Sequence, residues 1–92
     1  MRVKGQPAKN NPKSDSLIPN DIRLWRKHAG MKQAEFAAAL GIRRYNVSYW
    51  EQGRTLPSWE NLNKMIELLG CHGSQLYRNP AILDVIAAGE GR

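Results

Sequence analysis

The sequence predicts an all-α protein with one small folded domain. Apolar residues recur with helical spacing from Leu17 to Leu69, and glycines interrupt that pattern where helices would end. No alternating strand pattern or hairpin signal occurs in the 92 residues. A chain this short buries a limited share of its surface, so the core must be compact. We expect five helices, with residues 17–78 as the folded domain and 79–92 as a C-terminal helix and tail.

Residues 1–16 are expected to form a flexible basic arm. Their only large apolar side chains are Met1 and Val3, which cannot bury enough surface to offset the entropy of ordering the segment. The arm's basic side chains are those of Arg2, Lys4, Lys9 and Lys13. Two roles stay open for them, tracking the backbone of a nucleic acid and keeping the chain soluble.

The first predicted helix begins at Asn20, a good N-cap, and ends at Gly30. Asp21 is placed favourably at the positive end of the helix dipole. The inward face of this helix is expected to consist of Ile22, Trp25 and Ala29.

The next two predicted helices are short and are joined by a glycine turn. The second helix spans residues 33–40 and is followed by Gly41, a residue that readily adopts positive φ. The third spans about residues 43–52 and is closed in the same way by Gly53. The inward side chains of the two helices are expected to be Phe36, Ala37, Leu40, Val47 and Trp50.

The C-terminal half contains two further predicted helices. Pro57-Ser58 begins the fourth, which Gly70 ends. Its inward face is expected to consist of Trp59, Leu62, Met65, Ile66 and Leu69. Ser74 is expected to cap a single helical turn, and Asn79-Pro80 combines an N-cap with proline at the first position of a last helix that ends at Gly89.

The net charge of +6 is distributed unevenly along the chain. Residues 1–20 have a net charge of +3, residues 21–56 of +4 and residues 57–92 of −1. The positive charge therefore lies in the first 56 residues, which indicates that this part binds a polyanion.

Several classes of function are disfavoured by residue content. The single cysteine, Cys71, excludes an internal disulfide and the paired-cysteine zinc patterns. His28 and His72 are far apart in sequence and no carboxylates are paired on a helix face, so we expect no catalytic site, metal or cofactor. Because no apolar run approaches the roughly 18 residues of a membrane span, and no secretory signal is present, we expect a cytoplasmic protein.

Two short helices joined by a glycine turn, the second with a polar outer face, are typical of a helix-turn-helix that reads DNA in the major groove. With Val47 and Trp50 inward, the outer face of the third helix comprises Arg44, Tyr45, Ser48 and Tyr49, with Asn46 at its margin. Binding of single-stranded nucleic acid by stacking of bases on tryptophans is disfavoured. Each of Trp25, Trp50 and Trp59 is expected to point into the core.

Residues 22–70 closely resemble the helix-turn-helix of the phage Cro and repressor proteins, the XRE-type family. The matching features are Gln33, Ala37, Gly41-Ile42, Val47, Trp50-Glu51, Gly53 and Pro57-Ser58. The resemblance implies a compact λ-repressor-like domain. It also implies a buried ion pair between Arg26 and Glu51, which we interpret as structural.

The resemblance implies a role for individual residues on DNA. The base-contacting positions are Arg44, Tyr45, Asn46 and Tyr49. The phosphate-contacting positions are Lys32, Gln33, Arg43, Ser48 and Arg54. An arginine at position 44 can donate two hydrogen bonds to guanine, the commonest specific contact. Lys32 and Arg43 depart from the family, since many relatives have serine or threonine at these two helix caps.

The expected function is repression of a promoter in a phage, plasmid or bacterium, through an inverted-repeat operator in double-stranded DNA bound by a homodimer. The last helix is expected to supply part of the dimer interface, because its apolar residues spread around too much of the helix to be buried in one small domain. These residues are Ile82, Leu83, Val85 and Ile86. The alternative is an antitoxin, which would bind DNA through the same domain and a toxin protein through its C-terminal part.

Overall fold

The computed structural model of the chain describes residues 17–89, in which all regular secondary structure is helical. The six helices are α1 (Ile22–His28), α2 (Gln33–Leu40), α3 (Arg44–Gln52), α4 (Trp59–Leu69), α5 (Gly73–Leu76) and α6 (Pro80–Ala87). The prediction of an all-α fold is confirmed. The helix beyond the five expected is the short α5, which corresponds to the predicted single turn, although its N-cap is His72 and Ser74 lies within it. The predicted arm, with Arg2, Lys4, Lys9 and Lys13, lies outside the described residues.

One apolar core joins all six helices. Its buried members are Ile22, Phe36, Ala37, Leu40, Val47, Trp50, Leu62, Met65, Cys71, Leu76, Tyr77 and Ile86. Every inward residue predicted for α2 and α3 is among them, so the interpretation of those two helices is confirmed. Trp25, Ile66 and Leu69 are half-buried against the same core.

Glycines end three of these helices in the left-handed conformation, as predicted. Gly41, Gly53 and Gly70 are the C-caps of α2, α3 and α4, with φ values of 75°, 79° and 68°. At the N-terminus of α4 the hydroxyl of Ser58 accepts a hydrogen bond from the Asn61 amide at 3.1 Å. These caps satisfy backbone groups that the helices leave without partners.

The start of α1 differs by one residue from the prediction, because Asp21 rather than Asn20 is the N-cap. The Asn20 carboxamide nevertheless acts at this helix end. Its Oδ1 accepts from the Ile22 amide at 3.1 Å, and its Nδ2 donates to the Trp50 carbonyl at 2.9 Å. Asn20 thereby connects the beginning of α1 to α3.

Two residues that were predicted to face inward are exposed. Trp59, in the first turn of α4, is 48% exposed, because the buried stripe of that helix is centred on Leu62 and Met65. Ala29 is exposed because α1 ends at His28 and Ala29 is its C-cap, beyond the edge of the core.

A different error concerns Ile86, which was expected in a dimer interface. It is fully buried within its own chain, because α6 packs its Ile86 face onto the core. Ile82 and Leu83 are half-buried against that core, and Val85 is 37% exposed. Most of the apolar surface of α6 is therefore used within one chain.

None of the helices in residues 17–89 combines the length and the apolar character that crossing a membrane requires.

Candidate nucleic-acid interface

The helix pair α2–α3 is held as one unit by its turn and its core. Gly41 ends α2 in the left-handed conformation, and the amide of Ile42 donates to the Ala37 carbonyl at 3.0 Å. On the inner side of α3, Val47 and Trp50 are buried. Because this side is fixed in the core, the opposite side of α3 faces outward in a defined register.

The outer face of α3 carries two tyrosines and an arginine. Tyr45 is 53% exposed and Tyr49 is 42% exposed, and Arg44 in the first turn is also exposed. The two tyrosine rings meet edge-on, with centroids 5.9 Å apart and planes at 67°. The Arg54 guanidinium lies 5.9 Å from the Tyr49 ring centroid, a distance at which a cation and an aromatic face attract each other. Aromatic and cationic groups thus form one continuous surface.

The remaining two residues predicted on this face are less exposed. Asn46 and Ser48 are half-buried, and the Ser48 hydroxyl accepts a hydrogen bond from Gln52 Nε2 at 2.7 Å. Asn46 also lines a groove of about 300 Å³ between α3 and α4. The other polar side chains along this groove include Thr55 and Asn61. Sequence reasoning did not select those two residues, because no helical periodicity relates them to α3.

Basic residues occupy the N-caps of both helices of the pair. Lys32 caps α2 and Arg43 caps α3, and neither side chain makes a capping hydrogen bond. In α2 the carboxylate of Glu35 accepts from the Lys32 amide at 2.8 Å and so supplies half of a capping box. The second hydrogen bond of a capping box needs an acceptor on the N-cap side chain. An ammonium or guanidinium group cannot provide it, since both groups are donors only. Both positive side chains stay exposed beside helix N-termini, where an anion would meet N–H groups and the positive end of the dipole.

Gln33, the first residue of α2, bonds to two residues of α3. Its Nε2 donates to Glu51 Oε1 at 2.9 Å, and its Oε1 accepts from Arg44 Nη1 at 3.1 Å. Gln33 was predicted as a phosphate contact only. Its contact with Arg44 places Gln33 next to the first of the predicted base-contacting residues.

The predicted ion pair of Arg26 and Glu51 is present and buried. Arg26 Nε lies 2.5 Å from Glu51 Oε2, and Arg26 Nη2 lies 3.2 Å from Oε1, which makes the pair bidentate. Arg26 Nη1 also donates to the Met31 carbonyl at 2.7 Å. The exposed fractions of the two side chains are 7% and 5%. The pair therefore joins α1 to the C-terminal part of α3 and fixes α3 from its buried side.

Positive charge surrounds this surface. The exposed cations on α2, α3 and the loop after α3 are those of Lys32, Arg43, Arg44 and Arg54. Of the two acids on α2 and α3, Glu35 is engaged at the cap of α2 and Glu51 is buried in the ion pair. The surface as a whole can bind phosphates through its edges and present donors and aromatic rings at its centre.

Residues 17–89 contain no group of three or more His, Cys, Asp or Glu side chains arranged to hold a metal ion.

Comparisons with known proteins agree with this geometry. A family model described as helix-turn-helix matches residues 22–76. Among solved structures, the crystal structure of the hypothetical transcription factor NHTF from Neisseria is similar to this chain, with 30% sequence identity and a TM-score of 0.56. The similarity covers 71% of this chain and 75% of that chain. No curated protein gives a significant match.

Proposed function

The chain belongs to the XRE-type helix-turn-helix family, and from this premise we propose that it is a transcriptional regulator that binds double-stranded DNA. In its specific form the proposal is a repressor that binds an inverted-repeat operator as a homodimer. One observation carries the proposal: Arg44, Tyr45 and Tyr49 are exposed together on the helix whose opposite face is fixed in the core. The similarity to a structure named as a hypothetical transcription factor supports it.

In the proposed complex α3 lies in the major groove, with its N-terminal turn against base edges. Arg44 donates a pair of hydrogen bonds to O6 and N7 of a guanine. Tyr45 and Tyr49 contact thymine methyl groups with their rings or phosphates with their hydroxyls, and Asn46 lies at the margin of this contact. The exposure of both tyrosine side chains supports this assignment, since neither is a member of the apolar core.

Phosphate contacts are proposed on both sides of α3. Lys32 and Gln33 lie at the N-terminus of α2, where the helix dipole favours an anion. Arg43 and Ser48 flank the central residues of α3, and Arg54 follows its C-terminus. These contacts fix the register of α3 on the duplex and carry no sequence information themselves.

A homodimer is proposed because one recognition helix reads too few base pairs to single out one site in a genome. The part of α6 that remains available for a second subunit is centred on Val85, next to the half-buried Ile82 and Leu83. Two-fold pairing would place the half-sites about one helical turn apart, roughly 34 Å.

The proposal is tested by selecting binding sequences from a pool of random duplexes and measuring the mass of the protein–DNA complex. We expect enrichment of an inverted repeat and two chains per duplex. Val85→Glu should shift the stoichiometry toward one chain per duplex, because it places a charge in the proposed interface. Lys64→Glu, a charge change on α4, is the control and should leave the stoichiometry unchanged. A pool without enrichment would refute specific binding, and one chain per selected duplex would refute the dimer.

A further inference from the structure

We propose that the groove between α1 and α5 is a binding site for a small aromatic carboxylate. The groove has a volume of about 490 Å³, within the range of about 300–1,000 Å³ that small-molecule sites occupy. Its lining residues are Leu24, Trp25, His28, Ser74, Gln75 and Arg78. None of them belongs to α2 or α3. The inference is therefore independent of the proposed function, which is assigned to those two helices.

The two walls of the groove are fixed to each other. The amide of Asp21, the N-cap of α1, donates to the Leu76 carbonyl of α5 at 2.9 Å. The carboxylate of Asp21 lies 2.9 Å from Arg78 Nε. Ile22 and Leu76, on the same two helices, are fully buried in the core. A ligand would therefore enter a groove that exists before it binds, which avoids the entropy cost of ordering the walls.

The apolar surface of the groove comes from the α1 wall. Leu24 is 61% exposed, which makes it the most exposed of the large apolar side chains in residues 17–89. Trp25 is half-buried, and its ring meets the His28 ring edge-on, with centroids 6.0 Å apart and planes at 83°. An aromatic ring system can pack against these side chains and remove the exposed leucine from water. The α1 wall thus indicates the apolar part of the ligand.

The hydrogen-bonding groups that remain in the groove are mainly donors. Gln75 Oε1 accepts from the His72 amide at 2.8 Å, which leaves the NH₂ end of this carboxamide for a ligand. Arg78 Nε is engaged by Asp21, and the two Nη groups of Arg78 make no hydrogen bond within the described part of the chain. A guanidinium only donates, and the Ser74 hydroxyl can also donate. An ionised carboxylate, which only accepts, therefore complements the groove.

The formal charge around the groove also favours an anion. Arg23 and Lys27 are exposed on α1, on either side of Leu24 in sequence, and Arg78 adds a cation on the other wall. Neither α1 nor α5 contains an acidic residue. Asp21 is paired with Arg78, so the three cations and this one acid leave a net charge of +2. A carboxylate is attracted by this charge, and salt should weaken the attraction.

The length of the groove favours a small molecule over a helix of another protein. Its α1 wall runs from Leu24 to His28, which is about 6 Å along the helix axis. The opposite wall, from Ser74 to Arg78, is equally short in sequence. A helix that docks through residues i, i+4 and i+7 contacts about 10 Å of groove. One aromatic ring system with a carboxylate can reach both the apolar wall and the donors.

The test is a titration of the nitrogen-labelled full chain with 2-naphthoate, followed by NMR through the amide and indole N–H signals. We expect saturable shifts of the signals of Trp25, His28, Ser74 and Gln75. The dissociation constant should be about 1 mM or lower, the affinity expected for a ligand of this size. The neutral 2-naphthamide has the same rings and lacks the charge. It should bind about three- to tenfold more weakly than 2-naphthoate.

Two variants with matched controls on α4 assign each part of the ligand to a wall. Arg78→Gln should abolish the preference for 2-naphthoate over 2-naphthamide, whereas Lys64→Gln should keep it. Leu24→Ser should weaken both probes by about three- to tenfold, because it removes apolar surface from the groove. Leu68→Ser, at another exposed leucine, should leave both affinities unchanged. All four side chains are exposed, and the comparison of the two probes on the wild-type protein needs no variant.

The inference is overturned if 2-naphthoate causes no saturable shift at millimolar concentration, or if the two probes bind the wild-type protein equally well. Shifts at Lys32, Arg43, Arg44 and Arg54 in place of the groove would also overturn it, because they would show general attraction of an anion to the basic surface of α2 and α3. A preference for 2-naphthoate that survives Arg78→Gln would contradict the assigned role of that arginine. Each of these results leaves the proposed DNA binding unaffected.

Discussion

Arg26 and Tyr77 are both buried, but their polar atoms differ in hydrogen bonding. The guanidinium of Arg26 bonds to Glu51 and to the Met31 carbonyl. The hydroxyl of Tyr77 is fully buried and has no hydrogen-bond partner among residues 17–89. A buried polar group without a partner lowers stability, whereas the aromatic ring that carries it fills the core. The hydroxyl and the ring of Tyr77 therefore have opposite effects on the stability of the fold.

Replacing Tyr77 by phenylalanine keeps the ring and removes the hydroxyl. We expect the free energy of unfolding of Tyr77→Phe in urea at neutral pH to equal that of the wild type or exceed it by about 1 kcal/mol. Tyr77→Ala, which also removes the ring, should lower it by about 3–5 kcal/mol. A clear loss of stability in Tyr77→Phe would mean that the hydroxyl contributes a favourable interaction.

The same substitution should change how stability depends on pH in the alkaline range. Burial raises the pKa of Tyr77 above its ordinary value of 10.0. Above that pH the unfolded chain releases the phenolic proton and the folded chain retains it, so stability falls as pH rises. Below it the phenol is protonated in both states and contributes no pH dependence. Tyr77→Phe should therefore lose less stability than the wild type above pH 10, and equal losses in urea titrations would contradict this account.

At the level of helices and turns, Gly53 and Gly41 have similar conformations and different surroundings. Both are C-caps with φ near 75–79°. A Cβ at Gly41 would meet no atom within 4 Å, whereas at Gly53 it would overlap the backbone of Ile18, lying 2.7 Å from its amide nitrogen. The Ile18 amide also donates to the Gly53 carbonyl at 2.9 Å. The segment before α1 therefore packs directly on the end of α3.

This difference predicts unequal effects of alanine at the two glycines. Gly41→Ala should lower the free energy of unfolding by about 1–2 kcal/mol, the cost of a left-handed residue with a side chain. Gly53→Ala carries the same conformational cost and must also displace the Ile18 backbone, so its loss should be larger. Urea denaturation of both variants measures the comparison. Equal losses would show that the Ile18 contact is unimportant.

Helix positions and faces could largely be predicted from the sequence, because local signals determine them. Glycine end signals and helical spacing placed α2 and α3 to within one residue, with Val47 and Trp50 buried. Trp59 was misplaced because spacing does not separate the centre of an apolar stripe from its edge. At about 100° per residue it lies roughly 60° from Leu62 and 120° from Met65 around the axis. Its exposure depends on which helices pack beside α4.

Burial of Ile86 and the bonds of Gln33 depend on tertiary arrangement, which the sequence pattern did not supply. Helix α6 is apolar around much of its circumference, so its pattern cannot tell packing within the chain from packing on a second subunit. The predicted Arg26–Glu51 pair came from family resemblance. The hydrogen bond from Gln33 to that pair could be seen only once α2 and α3 were placed together.

At the level of the whole molecule, charge is distributed along the chain as a polyanion-binding protein requires. The net charge is +6, and four of the basic residues are in residues 1–16. Deleting residues 1–14 should make the salt dependence of DNA binding shallower, by roughly 0.9 in log–log slope for each phosphate contact removed. The melting temperature should stay within a few degrees, because the core described above lies within residues 17–89.

A full-length variant with glutamine at Arg2, Lys4, Lys9 and Lys13 is the control for this deletion. It should reproduce the shallower slope, since it removes the same charges and keeps the length of the chain. A slope identical to that of the wild type in both proteins would mean that the segment makes no contact with DNA.

We propose that Arg44 on α3 reads a guanine, and a change of one atom in the DNA tests this role most directly. In the selected operator, 7-deazaguanine removes the N7 acceptor at the position read by Arg44. We expect this change to weaken wild-type binding by about 1–3 kcal/mol and to leave binding of Arg44→Ala unchanged. The control Arg23→Ala, an exposed arginine on α1, should respond as the wild type does. Equal weakening of wild type and Arg44→Ala at every guanine would contradict the claim.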